Sequence, residues 1–195
     1  VHPEGRFFPD TYKFAAGTSD LDLLRLAATR MTRELDAAWR TRAADLPLKS
    51  PDELLTLASI IEKESAREDE RDRIAGVFIS RLRLGMKLQT DPTVIYGIGA
   101  AYDGDIRRRD LETDTPYNTY TRAGLTPTPI ALTSAAALRA AVRPRITGDI
   151  FFVATGEPDG SHRFSRTYRE HQQAVVAMQS RQRARRAAAS AEGSR

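Results

Sequence analysis

The chain has 195 residues, 41% hydrophobic and 29% charged, the profile of about one ordinary globular domain with enough length to bury a core. No run approaches the roughly 18 apolar residues of a membrane-spanning helix, and the absence of cysteine removes disulfides, thiolate metal sites and cysteine nucleophiles. The net charge of +4 sits in the tail "RQRARRAAASAEGSR" (181–195), whose five arginines and one glutamate leave 25 basic and 25 acidic side chains elsewhere. A neutral body argues against a nucleic-acid partner, which needs a basic face on the folded surface. The tail reads as a solvated helix end or a disordered extension.

The opening "VHPEGRFFPD" has neither an initiator Met nor a basic-then-apolar leader pattern, and the chain is expected to be a piece of something longer. "EGRFFPDTYKF" mixes aromatics with Gly and Pro and reads as strand, turn and strand end. A long amphipathic helix follows, capped by Thr18 or Ser19, with Leu21, Leu24, Ala28, Met31, Leu35 and Ala38 at helical spacing. The clearest helix start is Ser50-Pro51 with Glu53 completing a capping box, predicting a helix from about Pro51 to about Ala66.

The next helix begins near Glu68 or Asp69 and stops at Gly85, a plausible left-handed cap. Asp91-Pro92 suits the start of a short helix, and "RRRDLETDTPYNTYTRAGLTPTPIAL" reads as an ordered loop of the kind that carries binding groups. "TSAAALRAAVRP" is a short helix ended by Pro144, "DIFFVATGEPDGSHRFSR" a β-hairpin, and a last helix starts near Thr167. The sum is an α+β domain, mainly helical with a small antiparallel sheet.

The stretch "LASIIEKESAR" (57–67) carries two glutamates two positions apart. At about 100° per residue, Leu54, Leu57, Ile60 and Ile61 form one apolar stripe; Glu64 falls about 20° from Leu57, inside it, and Glu62 about 140° away, facing water. A carboxyl among apolar neighbours is held protonated, and such an acid can protonate a leaving group, as in glycoside cleavage. Alternatively the helix ends near Glu64 and the side chain turns to solvent.

"LASIIEKES", "RDRIAGVFISRLRLGMKLQTDPTVIYGIG", "RRDLETDTPYNTYTRAGL" and "FFVATGEPDGSHRFSRTYREH", in that order, resemble the YceG-like (MltG) family of endolytic murein transglycosylases over nearly the whole chain. The resemblance implies a lysozyme-like lytic transglycosylase catalytic domain. Such an enzyme cuts the β-1,4 bond between N-acetylmuramic acid and N-acetylglucosamine to leave a 1,6-anhydro end, with Glu64 as acid and then base. One carboxyl suffices because the nucleophile, the muramyl C6 hydroxyl, belongs to the substrate. Ser65 adjoins the acid and could orient it. Gln89 resembles a cleft glutamine, and Tyr117 and Asn118 resemble the family's Tyr-Asn pair beside the sugar. Tyr96 and Tyr120 are either further cleft residues or core.

Asp91 is an N-cap, or the second carboxylate that a lysozyme-type hydrolase would need. A non-catalytic glycan-binding domain is the third reading. His2, His162 and His171 lack metal-ligand spacing, and His162 and His171 read as structural hydrogen bonders; no metal or cofactor is expected. Family members carry a transmembrane anchor and a LysM-like module ahead of the catalytic domain. Residues 1–18 are accordingly expected to be the junction from that module, 19–180 the catalytic domain, and 181–195 the basic tail. The implied partners are peptidoglycan strands and penicillin-binding synthases. The implied location is the outer face of the inner membrane, reached only through the anchor, with this piece itself soluble.

Overall fold

The computed structural model describes residues 2–64 and 67–192, with side chains up to Arg185. Helix α1 (Asp20–Arg40) is capped by Ser19, whose Oγ accepts from the Asp22 amide at 3.2 Å while the Asp22 carboxylate accepts from the Ser19 amide. Its stripe is only half used. Ala27, Met31 and Leu35 are buried, but Leu21 and Leu24 remain exposed because the first two turns extend past the core.

Helix α2 (Pro51–Glu64) is the centre of the fold. Ser50 Oγ accepts from the Glu53 amide at 3.2 Å, and the Glu53 carboxylate reaches one residue further back than the usual box, to the Lys49 amide at 2.6 Å. Every residue from Leu54 to Ile61 is buried, not one stripe of them, because α1, α3, α4 and α6 pack around the helix. The polar members are satisfied within the fold: Thr56 Oγ1 donates to the Asp52 carbonyl, Ser59 Oγ to that of Thr56. Ser59 Oγ also accepts from the Ile130 amide at 3.0 Å. Leu54, Leu55, Leu57, Ile60 and Ile61 are 0% exposed, each contributing roughly 2 kcal/mol of transfer free energy.

Helix α3 (Glu68–Arg83) ends in a Schellman motif. Gly85 has φ 65°, its amide donates to the Leu82 carbonyl, and the Met86 amide donates to that of Arg81 at 2.9 Å. Helices α4 (Asp91–Ile98), α5 (Arg108–Glu112) and α6 (Ala135–Val142) follow, with a long ordered loop between the last two. Strands β1 (Phe151–Ala154) and β2 (His162–Ser165) pair antiparallel, with Phe152 opposite Phe164 and Ala154 opposite His162. Phe152 meets Phe78 of α3 edge-on at 5.8 Å, and Arg73 of α3 donates twice to Asp149 ahead of β1, at 2.9 and 2.7 Å. Helix α7 (Tyr168–Glu192) covers both strands. The basic stretch begins inside it, where Arg181 and Arg185 donate to the Thr155 and Gly156 carbonyls of the hairpin loop.

The architecture is α+β, helix-rich with one two-stranded antiparallel sheet. The opening segment departs from expectation and forms no strand among the described residues, since no neighbouring strand offers it a ladder. Phe8 is instead buried against the core, its amide donating to the Ala27 carbonyl of α1 at 3.1 Å. No helix among the described residues is long and apolar enough to cross a membrane.

Gly76 marks the closest approach in the core. A Cβ there would lie 2.1 Å from the Arg145 carbonyl oxygen, backbone that is itself tied to α3 through the Arg145 amide and the Asp72 carbonyl. Gly76→Ala is expected to cost about 1–3 kcal/mol of stability by forcing the two apart, read as a lowered urea midpoint with an unchanged slope.

Candidate active site

Glu64 is the last residue of α2 and opens onto a cleft of about 440 Å³ between the α2 end, the 88–91 segment, β1 and the start of α7. As a residue it is half-buried. Burial is nevertheless the largest influence on its carboxyl and raises its pKa; the nearby charge of Asp91 adds to the rise, while Thr90, His162 and Arg81 oppose it. The glutamate that helical spacing sets in the apolar stripe is thus the one at the cleft. Glu62 does not face water as expected: α6 covers that side of α2, and Glu62 Oε2 accepts from the Ser134 amide at 3.1 Å and from Ser134 Oγ at 2.5 Å. It secures the α6 N-cap.

Thr90 fixes the carboxyl in place, its Oγ1 donating to Glu64 Oε2 at 2.5 Å. Thr90 occupies the N-cap position of α4, yet its side chain makes no capping bond, the hydroxyl being committed to Glu64. Three further contacts hold it there. The Thr90 amide donates to Thr119 Oγ1 at 3.1 Å, Thr93 Oγ1 donates back to the Thr90 carbonyl at 2.8 Å, and the Thr93 and Thr119 hydroxyls meet at 2.8 Å. All three threonines are buried.

Arg81 ties the cleft together from beneath. It is 7% exposed and donates to the carbonyls of Ile150 at 2.7 Å, Lys87 at 3.1 Å and Leu88 at 2.7 Å, and to Gln89 Oε1 at 3.2 Å. One guanidinium thus joins α3, the 87–89 segment and the entry to β1. Gln89 is the one non-glycine among the described residues with positive φ, 53°, a conformation that costs on the order of 1 kcal/mol and often marks functional sites. Its amide donates to the Thr119 carbonyl at 3.1 Å.

Of the residues singled out in the sequence, the cleft gathers Glu64, Gln89, Asp91 and Tyr120. Asp91 is the first residue of α4 rather than its cap, and its Oδ1 accepts from the Tyr120 hydroxyl at 2.5 Å. Burial, then Asp91, holds the Tyr120 phenol protonated far above its usual range. Tyr96, Tyr117 and Asn118 do not line the cleft. The Tyr96 and Tyr117 rings pack together at 4.9 Å, and the Tyr117 hydroxyl meets Thr128 Oγ1 at 2.9 Å. Asn118 is buried; its Nδ2 donates to the carbonyls of Asp110, Leu111 and Thr113, and its Oδ1 accepts from the Tyr120 amide. It braces the loop that delivers Thr119 and Tyr120. Ser65 lies outside the described residues.

Thr90, Arg81, Phe151, His162 and His171 also belong to the site, and their placement had no local signal: Thr90 meets Glu64 across 26 positions and Arg81 meets Ile150 across 69. His162 and His171, read as structural hydrogen bonders, both line the cleft. His171 stacks on Phe151 at 5.1 Å, its Nδ1 is buried without a partner among the described residues, and burial lowers its pKa, which favours the neutral ring. No group of three or more metal-ligating side chains occurs among the described residues.

Fold and site define a helical α+β domain that keeps one carboxyl protonatable at a polar cleft. The chain belongs to the YceG-like family, whose model matches residues 1–177. It is 38% identical over 174 residues to a Bacillus subtilis (strain 168) protein named endolytic murein transglycosylase, covering 89% of this chain and 47% of that one. It is 33% identical over 156 residues to the Streptococcus pneumoniae serotype 2 protein of the same name, covering 77% and 28%. The chain therefore spans less than half the length of either relative. A crystal structure of a YceG-like protein from Listeria monocytogenes superposes with a TM-score of 0.76 at 34% identity, covering 88% of this chain and 55% of that one.

Two outcomes follow from the Glu64 environment. Because its folded pKa is raised, its contribution to stability is complete below the ordinary glutamate range and is lost as pH rises through the raised value. Glu64→Gln, which cannot ionise, is expected to melt higher than the parent above that value and no higher below it, in melting curves taken across pH. Thr90 acts in the opposite sense, so Thr90→Val is expected to move the Glu64 titration to still higher pH, read by carbon-13 NMR of the side-chain carboxyl.

Proposed function

We propose that this chain is the catalytic part of an endolytic murein transglycosylase, cleaving the bond between N-acetylmuramic acid and N-acetylglucosamine in peptidoglycan strands to leave 1,6-anhydro ends. The observation that carries the reading is Glu64: a carboxyl kept protonatable by burial, held by Thr90, at the edge of a cleft. A protonated Glu64 donates to the departing glycosidic oxygen. The muramyl C6 hydroxyl closes on its own anomeric carbon, an intramolecular attack that requires no bound water and no second carboxylate. The relatives' shared name supports the substrate class and the endolytic mode.

In this reading Gln89, Asp91 and Tyr120 bind sugar hydroxyl and N-acetyl groups from the cleft wall, in a groove of lysozyme-like use. Tyr117 and Asn118 serve from behind the wall by holding the loop that bears Tyr120. The enzyme works outside the cytoplasmic membrane, on strands supplied by penicillin-binding synthases, with the anchor and LysM-like module of the family preceding residues 1–18, the catalytic unit at 19–180 and the basic stretch after it. The position of Asp91 in the cleft, with its charge acting on Glu64, favours one alternative, a lysozyme-type hydrolase using Asp91 as second carboxylate.

Mass spectrometry of purified glycan strands decides between them. The parent chain is expected to produce anhydro-muramyl ends, and Glu64→Gln to reduce them about 10²–10⁴-fold while still binding the strands. Reducing ends would instead make it a hydrolase, and strand binding without products a glycan-binding domain.

A further inference from the structure

The cleft holds a second group built for proton transfer. His162 on β2 and Glu70 on α3 are 92 positions apart, and the Glu70 carboxylate grips residue 162 twice, accepting from its amide at 3.1 Å and meeting its Nδ1 at 2.8 Å. Both side chains are largely enclosed, 13% and 15% exposed. Phe152 and Phe164 set the ring plane, at 5.6 and 6.4 Å. With Nδ1 engaged by Glu70, Nε2 is the nitrogen left for the cleft that the ring lines. A carboxylate-oriented imidazole facing a cleft is the arrangement used to make histidine a base. His171, the other imidazole of the cleft, has no such carboxylate among the described residues.

We infer that His162, oriented by Glu70, is the base that takes the proton from the muramyl C6 hydroxyl, leaving Glu64 as the acid alone; this rests on the transglycosylase reading above. In the neutral tautomer Nδ1–H donates to Glu70 and Nε2 carries a lone pair. The bond from the anomeric carbon to the departing oxygen breaks first, as Glu64 protonates that oxygen; O6 then bonds to the same face of the carbon as its O–H bond breaks toward Nε2. His162 lies close enough to Glu64 for its charge to act on that carboxyl. The imidazolium then returns its proton to the Glu64 carboxylate, restoring both groups without any outside reactant.

The charged and titratable groups around the ring are Glu70, with Arg67 beside it, and Glu64; Arg81, Asp91, Tyr120 and His171 share the cleft. The test measures the rate of anhydro-end formation against strand concentration for the parent chain, His162→Ala and Glu70→Gln, with melting temperature and strand binding alongside. His162→Ala is expected to lose about 10²–10³-fold in rate, with binding retained and activity partly restored by added imidazole. Glu70→Gln, which leaves the forming imidazolium without its carboxylate, is expected to lower kcat with KM unchanged, and this readout decides the matter if His162→Ala melts early.

Anhydro ends from the parent together with an undiminished His162→Ala rate, a loss in a stably folded His162→Ala that imidazole does not restore, or an undiminished kcat in Glu70→Gln would overturn the inference while leaving the transglycosylase reading intact. A parent chain that forms no anhydro ends would overturn both.

Discussion

Complete enclosure of α2 is the constraint from which the rest of the structure follows. A helix buried from Leu54 to Ile61 on every side must have neighbours all round, and α1, α3, α4 and α6 are those neighbours. Its polar residues are tolerated because Thr56 and Ser59 turn their hydroxyls onto nearby carbonyls and Ser59 accepts a bond from the 130 loop. The two glutamates near its end are then divided between the core and the cleft. Glu62 binds the start of α6, and Glu64, one half-turn on, reaches the edge of the core where the cleft begins.

The cleft is assembled from segments distant in sequence, and small polar residues do most of the joining. Thr90, Thr93 and Thr119 form a closed set of hydrogen bonds that delivers one hydroxyl to Glu64. Arg81 satisfies three carbonyls and an amide oxygen at once, a use of the planar guanidinium that lysine could not reproduce with its single ammonium. Because these groups are buried and mutually satisfied, the carboxyl is positioned before any ligand arrives, which is the condition for efficient proton transfer.

Much of the fold was legible in the sequence because its signals are local. Ser19 and Ser50 cap helices, Gly85 closes one through a left-handed turn, and the alternation around 151–165 forms the expected hairpin. Glu64 was legible for the same reason, since a helix converts spacing into direction. The failures are all matters of tertiary partners. The aromatic opening segment has strand-like composition but no strand to pair with, so Phe8 packs as a plug. Glu62 looked solvent-facing because nothing in residues 51–66 reveals α6 on that side. Tyr117 and Asn118, read as sugar contacts, sit behind the wall, and the Glu70–His162 pair spans 92 positions, which no local periodicity reports.

Helix α4 illustrates a conflict between folding and chemistry at a single side chain. A threonine at an N-cap ordinarily secures a helix by about 1 kcal/mol, but Thr90 spends its hydroxyl on Glu64 and leaves the first turn of α4 without a side-chain cap. Aspartate or asparagine would satisfy that turn better, yet aspartate offers Glu64 no donor in place of the hydroxyl and would push its pKa still higher, as the charge of Asp91 already does. Position 90 is thus one where a better cap for α4 and a fixed carboxyl at residue 64 pull in opposite directions, and a search for hardier variants of this domain would do well to leave it alone.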